Sequence, residues 1–358
     1  MKILRLTTLL DFGGQERKYI SFTEKPESLK YDYEFGAIGY GGNAERTLRE
    51  RGFEVHILNR NFSIKNLSNI WAVYKLIKKV KPDVVHTAAA EANFHGIIAA
   101  KLAGVKYIIG EEIGIPNHSS LAQKVFSVVY RSADKVICVS QSVKDHLVKT
   151  GEIPVEKGVV IYNPVSFLKG MNFGKDSNHD KFFNMVYVGR LEKVKNVDTL
   201  LRAFSQLKNE QLRLTLVGDG RERENLENLV RELELSDKVS FEGFQSDPGK
   251  YLSSADLYVL PSYSEGFGIA AVEAMFLKVP VLATQVGGVP EFINHGENGW
   301  LFDPYSMEDL VEKLEQILLL DEDKRKAIGE KGFEYVYGRF SEKIYTEILE
   351  KLYGNTST

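Results

Sequence analysis

The stretch "DLYVLPSYSEGFGIAAVEAMF", residues 256–276, decides how the chain folds. "DLYVLPS" is a short apolar run and reads as a strand. "YSEGFG" carries two glycines and reads as a loop. "IAAVEAMF" is an Ala-rich apolar run and reads as a helix. Strand, glycine loop and helix together are the repeating unit of a parallel sheet covered by helices. Such sheets bind ligands beyond the carboxyl ends of their strands. The free N–H groups of Phe267, Gly268 and Ile269 would open the helix, where an anion is favoured. Gly266 and Gly268 would let a ligand approach the backbone. Two carboxylates frame that site: Glu265 in the loop, and Glu273 about 12 Å further on by helical rise. The arrangement makes sense if both accept hydrogen bonds from sugar hydroxyls on either side of a phosphate.

On either side the same unit recurs. "KILRLTTL", "YEFGAIGY", "FEVHILN", "DVVHTAA", "KYIIGEE", "KVICVS" and "GVVIYNP" read as strands, with helical patterns at 44–51, 67–80, 94–102, 121–132 and 142–150. The polar stretch 166–182 has no period and reads as a linker. Alternation restarts with "FNMVYVG", "LRLTLVG", "KVSFEG", "LYVLPS", "PVLAT" and "GWLF". Helices are expected at 197–207, 222–233, 248–253, 269–276, 289–294 and 307–319, with a last one at 341–352. The chain therefore reads as two Rossmann-like α/β domains, 1–165 and 183–340, facing each other across a cleft. The segment 341–358 is expected to return to the first domain.

A chain of 358 residues is long for one core. Its hydrophobic fraction of 43% is that of an ordinary globular protein, and a net charge of −3 gives no reason to expect nucleic acid. The single cysteine, Cys138, cannot form an internal disulfide and reads as a buried strand thiol, which suits a reducing cytoplasm. No secretory leader or membrane span is visible, so a cytoplasmic protein is expected, at most peripheral to the membrane.

Two further strand ends carry charge or glycine. "FNMVYVG" runs into "GRLEKVKN", placing Arg190 and Lys195 where a diphosphate could be held. "LVGDGRERENL" places Gly218 and Gly220 before a helix. This G-x-G lacks a third glycine, and no acidic residue stands where a dinucleotide site needs one, which argues against a dehydrogenase.

In this order, "GRLEKVKN", "VGDG", Glu265-x7-Glu273 and "VGGVPEFINHGENGWLFDP" resemble glycosyltransferase family 4, retaining enzymes of the GT-B fold. The likeness is ordered from about Val186 to Pro304. It is looser through "DFGGQER", "KPDVVHT", "KVICVS" and "VIYNP". The resemblance implies that Arg190 and Lys195 bind the donor diphosphate, Glu265 the transferred sugar and Glu273 the ribose. Gly13 and Gly14 would face the phosphates. A second pair, Gly41 and Gly42, reads instead as turn glycines. The family's T-x-H sequence falls on Gly110 and Glu112, so either Glu112 or His118 would take the histidine's place; His86 and His95 are further candidates for sugar or acceptor contact. The base is expected at "FEGFQSD", with UDP preferred over GDP. The donor phosphate would take the acceptor's proton, so neither a side-chain base nor a metal is required. Asp321-Glu322-Asp323 reads as a solvated turn, and no cofactor is expected.

The acceptor implied is a saccharide or lipid-linked saccharide of bacterial surface polysaccharide. The alternative is a nucleotide-sugar epimerase on the same fold, which would need acid and base groups converging on the sugar's C2. A non-enzymatic hinge-binding protein would leave Arg190, Lys195 and Glu265 without a reason. Finally, residues 64–81 hold five lysines and no acidic residue. Their stripe of Leu67, Ile70, Trp71, Tyr74, Ile77 and Val80 is expected to pack on the sheet, leaving the lysines to attract an anionic membrane.

Overall fold

The computed structural model describes residues 1–11, 13–165 and 182–355. The linker expected at 166–182 lies, apart from Phe182, outside the described residues. The chain divides into two compact units, Met1–Ser166 with Phe340–Thr358, and Phe167–Arg339.

The first unit alternates strands and helices: β1 (Lys2–Thr7), α1 (Gly14–Phe22), β2 (Asp32–Ala37), α2 (Asn43–Glu50), β3 (Glu54–Ile57), α3 (Ser68–Val80), β4 (Val84–Ala88), α4 (Ala90–Ala103), β5 (Tyr107–Glu112), α5 (Ser120–Arg131), β6 (Lys135–Cys138), α6 (Gln141–Lys149) and β7 (Gly158–Val160). Among the described residues the strands form one parallel sheet in the order β3-β2-β1-β4-β5-β6-β7. The second unit holds β8 (Phe183–Val188), α7 (Val197–Gln206), β9 (Leu212–Val217), α8 (Arg223–Glu232), β10 (Val239–Gly243), α9 (Gly249–Ser253), β11 (Leu257–Leu260), α10 (Ile269–Phe276), β12 (Val281–Thr284), β13 (Trp300–Phe302), α11 (Met307–Leu319) and α12 (Glu322–Tyr337). Its parallel sheet runs β10-β9-β8-β11-β12-β13. Both sheets therefore reverse direction between their first and fourth strands, and each has a crevice at that switch point.

The last helix, α13 (Glu342–Gly354), belongs to the first unit. Its Tyr345, Leu349 and Tyr353 are buried in that unit's core beside Tyr19, Phe22, Tyr33 and Phe35. It also closes a buried ionic cluster. Arg5, without exposed surface, donates to Tyr345 Oη at 3.2 Å and to Glu111 Oε2 at 3.3 Å, and lies over the Tyr19 and Phe22 rings. Lys18 donates to Glu111 Oε1, and Tyr353 Oη meets His86 Nδ1 at 2.6 Å. Burial favours the uncharged carboxyl, but Lys18, His86 and Arg5 outweigh it and hold Glu111 well below the usual range. Burial takes Lys18 down to about 8 and, with Arg5, His86 down to about 4.

Two helices escape the sequence reading. The buried face of α1 includes Gln15, Glu16, Lys18 and Ser21, so no apolar stripe marks it. α12 buries Gly329, Gly332 and Val336, a line of small residues. The supposed solvated turn 321–323 is in fact its start: Asp321 Oδ1 caps it by accepting from Lys324 N at 2.8 Å, although all three acids are exposed. The expected helix 289–294 is only a 3-10 turn, Val289–Glu291. In α3 the buried residues are Asn69, Val73, Leu76, Ile77 and Val80, so Leu67 and Trp71 stand outside the expected packing stripe.

Candidate active site

In the second unit the switch point lies between β8 and β11, and the chemistry-bearing residues gather beyond their ends. After β8 the chain passes Gly189 and Arg190 into a 3-10 turn, Lys193–Lys195. Asn196 follows in the left-handed region (φ 54), a conformation asparagine tolerates. Fully buried, it donates from Nδ2 to Pro261 O at 3.0 Å and Pro304 O at 3.3 Å, pinning the turn to the segments after β11 and β13. This brings Lys195 Nζ to 2.6 Å from Glu265 Oε1, which also accepts from Ser262 Oγ at 2.7 Å. Glu265 is only 8% exposed. Among the described residues both partners fall on Oε1, leaving Oε2 for a ligand. Arg190 is exposed, and among the described residues its guanidinium has no partner. Its carbonyl accepts from Tyr187 Oη at 2.9 Å, a buried strut beneath the loop.

Neither Asn196 nor Tyr187 was singled out from the sequence. The signal for Asn196 was weak but present, an asparagine directly before an apolar helix; Tyr187 is indistinguishable from any strand aromatic.

Gly268 precedes α10 with φ 97, a conformation that favours glycine. Phe267 is buried against Phe292, ring centroids 5.5 Å apart, so it anchors the loop. Glu273 is the fifth residue of α10 and half-buried. Because α10 starts only at Ile269, the first four of the eight residue steps from Glu265 to Glu273 lie outside the helix. Helical rise then accounts for about 6 Å rather than 12 Å.

Gly218 and Gly220 have a packing reason of their own. A Cβ at Gly218 would lie 1.9 Å from Gly189 O, and one at Gly220 2.3 Å from Leu191 O. Glycine is required there because two backbone segments touch: Gly189 N donates to Val217 O and Leu191 N to Asp219 O. Gly218 N in turn donates to Gly243 O, which sets the "FEGFQSD" segment beside them. A groove of about 360 Å³ between α7 and α8, lined by Lys193, Asp198, Arg202 and Glu222 among others, does not include Arg190, Lys195 or Glu265.

In the first unit Gly13 and Gly14 stand at the start of α1, after β1, on one side of that sheet's switch point. Gly42 is explained by packing: a Cβ would meet Asp11 Oδ1 at 1.9 Å. Two histidine candidates are withdrawn by burial. His86 lies wholly inside the ionic cluster under α13, and His95 is fully buried with Nε2 3.2 Å from Ser63 O. Glu112 also turns inward. It is 4% exposed, its Oε1 accepting from Tyr130 Oη and, at 3.3 Å, from Asn93 Nδ2. Burial pushes its carboxyl up to about 7, against the hydrogen bond from Tyr130 and the nearby His118. His118 is placed differently. Nδ1 is 2.9 Å from the buried Glu152, and the ring stacks on Phe126 at 4.4 Å. Among the described residues Nε2 is unengaged.

Among the described residues no group of three or more His, Cys, Asp or Glu side chains is arranged to hold a metal, and no helix is long and apolar enough to cross a membrane. The family model "Glycosyl transferases group 1" matches residues 172–335, and "Glycosyltransferase Family 4" matches residues 12–167. A Campylobacter jejuni N-acetylgalactosamine-N,N'-diacetylbacillosaminyl-diphospho-undecaprenol 4-alpha-N-acetylgalactosaminyltransferase is 30% identical over 78% of this chain and 79% of its own. A Staphylococcus aureus capsular polysaccharide biosynthesis glycosyltransferase is 27% identical over 83% and 84%. The N-acetyl-alpha-D-glucosaminyl L-malate synthase of Bacillus anthracis is 37% identical, but over only 46% of this chain and 43% of its own. Among solved structures, Anabaena HepE in complex with UDP and glucose superposes with a TM-score of 0.85 at 25% identity, covering 99% of this chain and 100% of that one.

Proposed function

The chain belongs to glycosyltransferase family 4, and from that premise we propose that it is a retaining, metal-independent hexosyltransferase. It moves a sugar from a nucleotide-diphosphate sugar, UDP-linked in preference to GDP-linked, to a saccharide or lipid-linked saccharide acceptor of surface polysaccharide. The observation that carries this reading is the Lys195–Glu265 pair beyond β8 and β11, with Arg190 open on the same loop. A cation held against a carboxylate at a switch point suits a phosphorylated sugar: Lys195 and Arg190 take the diphosphate, Glu265 Oε2 a sugar hydroxyl, and Glu273 the ribose. Gly266, Phe267, Gly268 and Ile269 offer backbone N–H groups to the same anion. The UDP preference is supported by the HepE complex, and the lipid-linked acceptor by the Campylobacter relative.

In the transfer, the bond from the sugar's C1 to the diphosphate oxygen breaks while the acceptor oxygen attacks from the same face. The acceptor's proton passes to the departing diphosphate. Arg190, Lys195 and the α10 terminus stabilise the negative charge that develops there. On the first unit, His118, held by Glu152, is the residue we assign to substrate contact in preference to the buried Glu112.

The test incubates the protein with labelled UDP- and GDP-sugars and a lipid-linked saccharide, with and without EDTA. Transfer from a UDP-sugar with retained anomeric configuration and undiminished by EDTA is expected. An epimerised nucleotide sugar without transfer would make the protein an epimerase; a strict need for Mn²⁺ or Mg²⁺ would end the metal-independent reading.

A further inference from the structure

We propose that the outer face of α3, α4 and α5 is a docking surface for an anionic lipid bilayer. The three helices pack side by side on one face of the first sheet. Between Lys65 and Arg131 the chain holds nine basic residues and four acidic ones, a formal +5 in a chain of −3. All nine basic side chains are exposed and none of the four acids is. Glu111 and Glu112 are buried, Asp83 accepts from Lys2 N, and Glu91 accepts from Thr8 Oγ1. The cations of this segment therefore face solvent more than its carboxylates do.

Large apolar side chains stand within that field. On α5, Leu121, Val125 and Val128 recur at helical spacing and are 73%, 38% and 62% exposed. On the other flank Leu67 and Trp71 are 61% and 57% exposed, and Leu102 at the end of α4 is 64% exposed. Trp71 stacks on Tyr74 with rings 4.8 Å apart, and Lys75 Nζ lies 5.9 Å from the indole.

Charge and shape together choose the occupant. A second copy would bring the same basic face against this one and be repelled. A folded protein partner would be met by one gathered hot spot, whereas these apolar groups are divided among three helices, the α5 stripe, Leu102 and the Leu67–Trp71 flank, with lysines in each. That distribution suits a fluid anionic surface: lysines meet headgroups, while Trp, Leu and Val enter the boundary beneath them.

The test is sedimentation of the full chain with vesicles of phosphatidylglycerol and phosphatidylcholine, against phosphatidylcholine alone, at low and high salt. Trp71 is its own probe, since the other tryptophan, Trp300, is buried. Binding to the anionic vesicles with a blue shift of emission is expected. Lys75→Glu/Lys78→Glu/Lys79→Glu should weaken partitioning by about a hundredfold at low salt. Leu121→Ser/Val128→Ser should remove the binding that survives high salt. All five positions are exposed, and an unchanged thermal melt would confirm that the variants fold. No binding to anionic vesicles at low salt, or binding that survives the lysine reversal, would overturn the proposal. So would vesicle-free self-association, seen by sedimentation velocity, that the same substitutions abolish.

Discussion

Glu265 and Lys195 each depend on the other. The carboxylate is almost buried, and its salt bridge and the Ser262 hydroxyl offset the loss of water. Glu265→Ala should lower turnover by about a hundredfold, the loss of one transition-state contact, with UDP affinity nearly kept. Lys195→Ala should weaken both, because it removes a phosphate cation and leaves Glu265 unpaired; calorimetry with UDP separates the two cases. Wild-type turnover in Glu265→Ala would remove it from the mechanism. Glu112 gives a pH prediction. Its pKa is raised in the folded state from 4.5 to about 7, so the folded chain binds the proton more tightly than the unfolded one. The associated stability is present below pH 4.5 and is lost as pH rises through 7. Linkage sets the loss at about 3 kcal/mol at most. Glu112→Gln keeps an acceptor for Tyr130 and carries no charge. It should therefore melt higher than wild type at pH 8.5 and equal to it at pH 5; equal melts at both would place the carboxylate in a polar setting.

At the scale of elements, the loops after β8 and β9 form one body. Their backbones touch at Gly189–Gly218 and Leu191–Gly220, so a methyl group at either glycine of β9's loop must force them apart. Gly218→Ala is expected to cost about 3 kcal/mol, from overlap and from a φ of 139, and to weaken UDP binding by displacing Arg190. Gly338→Ala is the control. A Cβ there meets nothing within 4 Å, and φ is −77, so stability should hold. Urea denaturation of both, followed by titration with UDP, checks the pair.

For the whole molecule, α13 is separated along the chain from the rest of the first unit by the whole of the second, yet it is part of the first unit's interior. Deleting residues 341–358 would strip Tyr345, Leu349 and Tyr353 from the core and leave Arg5 and His86 without their tyrosine hydroxyls. Truncation of a single large buried side chain costs about 2–5 kcal/mol. The shortened chain should therefore lose the cooperative melt of its first unit while the second still melts. Tyr353→Phe, which removes one hydroxyl, should cost only about 1–2 kcal/mol. A shortened chain melting like the full one would show that α13 is an appendage.

The alternation of apolar runs with helical patterns was enough to read two parallel α/β sheets from the chain, and strand–glycine–helix junctions were enough to place Arg190, Lys195, Glu265 and Glu273 beyond strand ends. Those are local properties: period, turn chemistry and the position of a charge after an apolar run. The sequence could not reveal contacts between distant segments. Lys195 meets Glu265 because Asn196 ties together segments 65 and 108 residues away. Gly218 and Gly220 read as a phosphate loop from spacing alone, and only the tertiary structure adds that each lies against the backbone of the loop after β8. α1 and α12 were hidden because their buried faces carry charge or small residues rather than an apolar stripe. Burial separated the histidines, enclosing His86 and His95 and leaving a ring nitrogen of His118 open. Tertiary packing alone decides which side of a charged residue meets water, because burial depends on every element that closes over it.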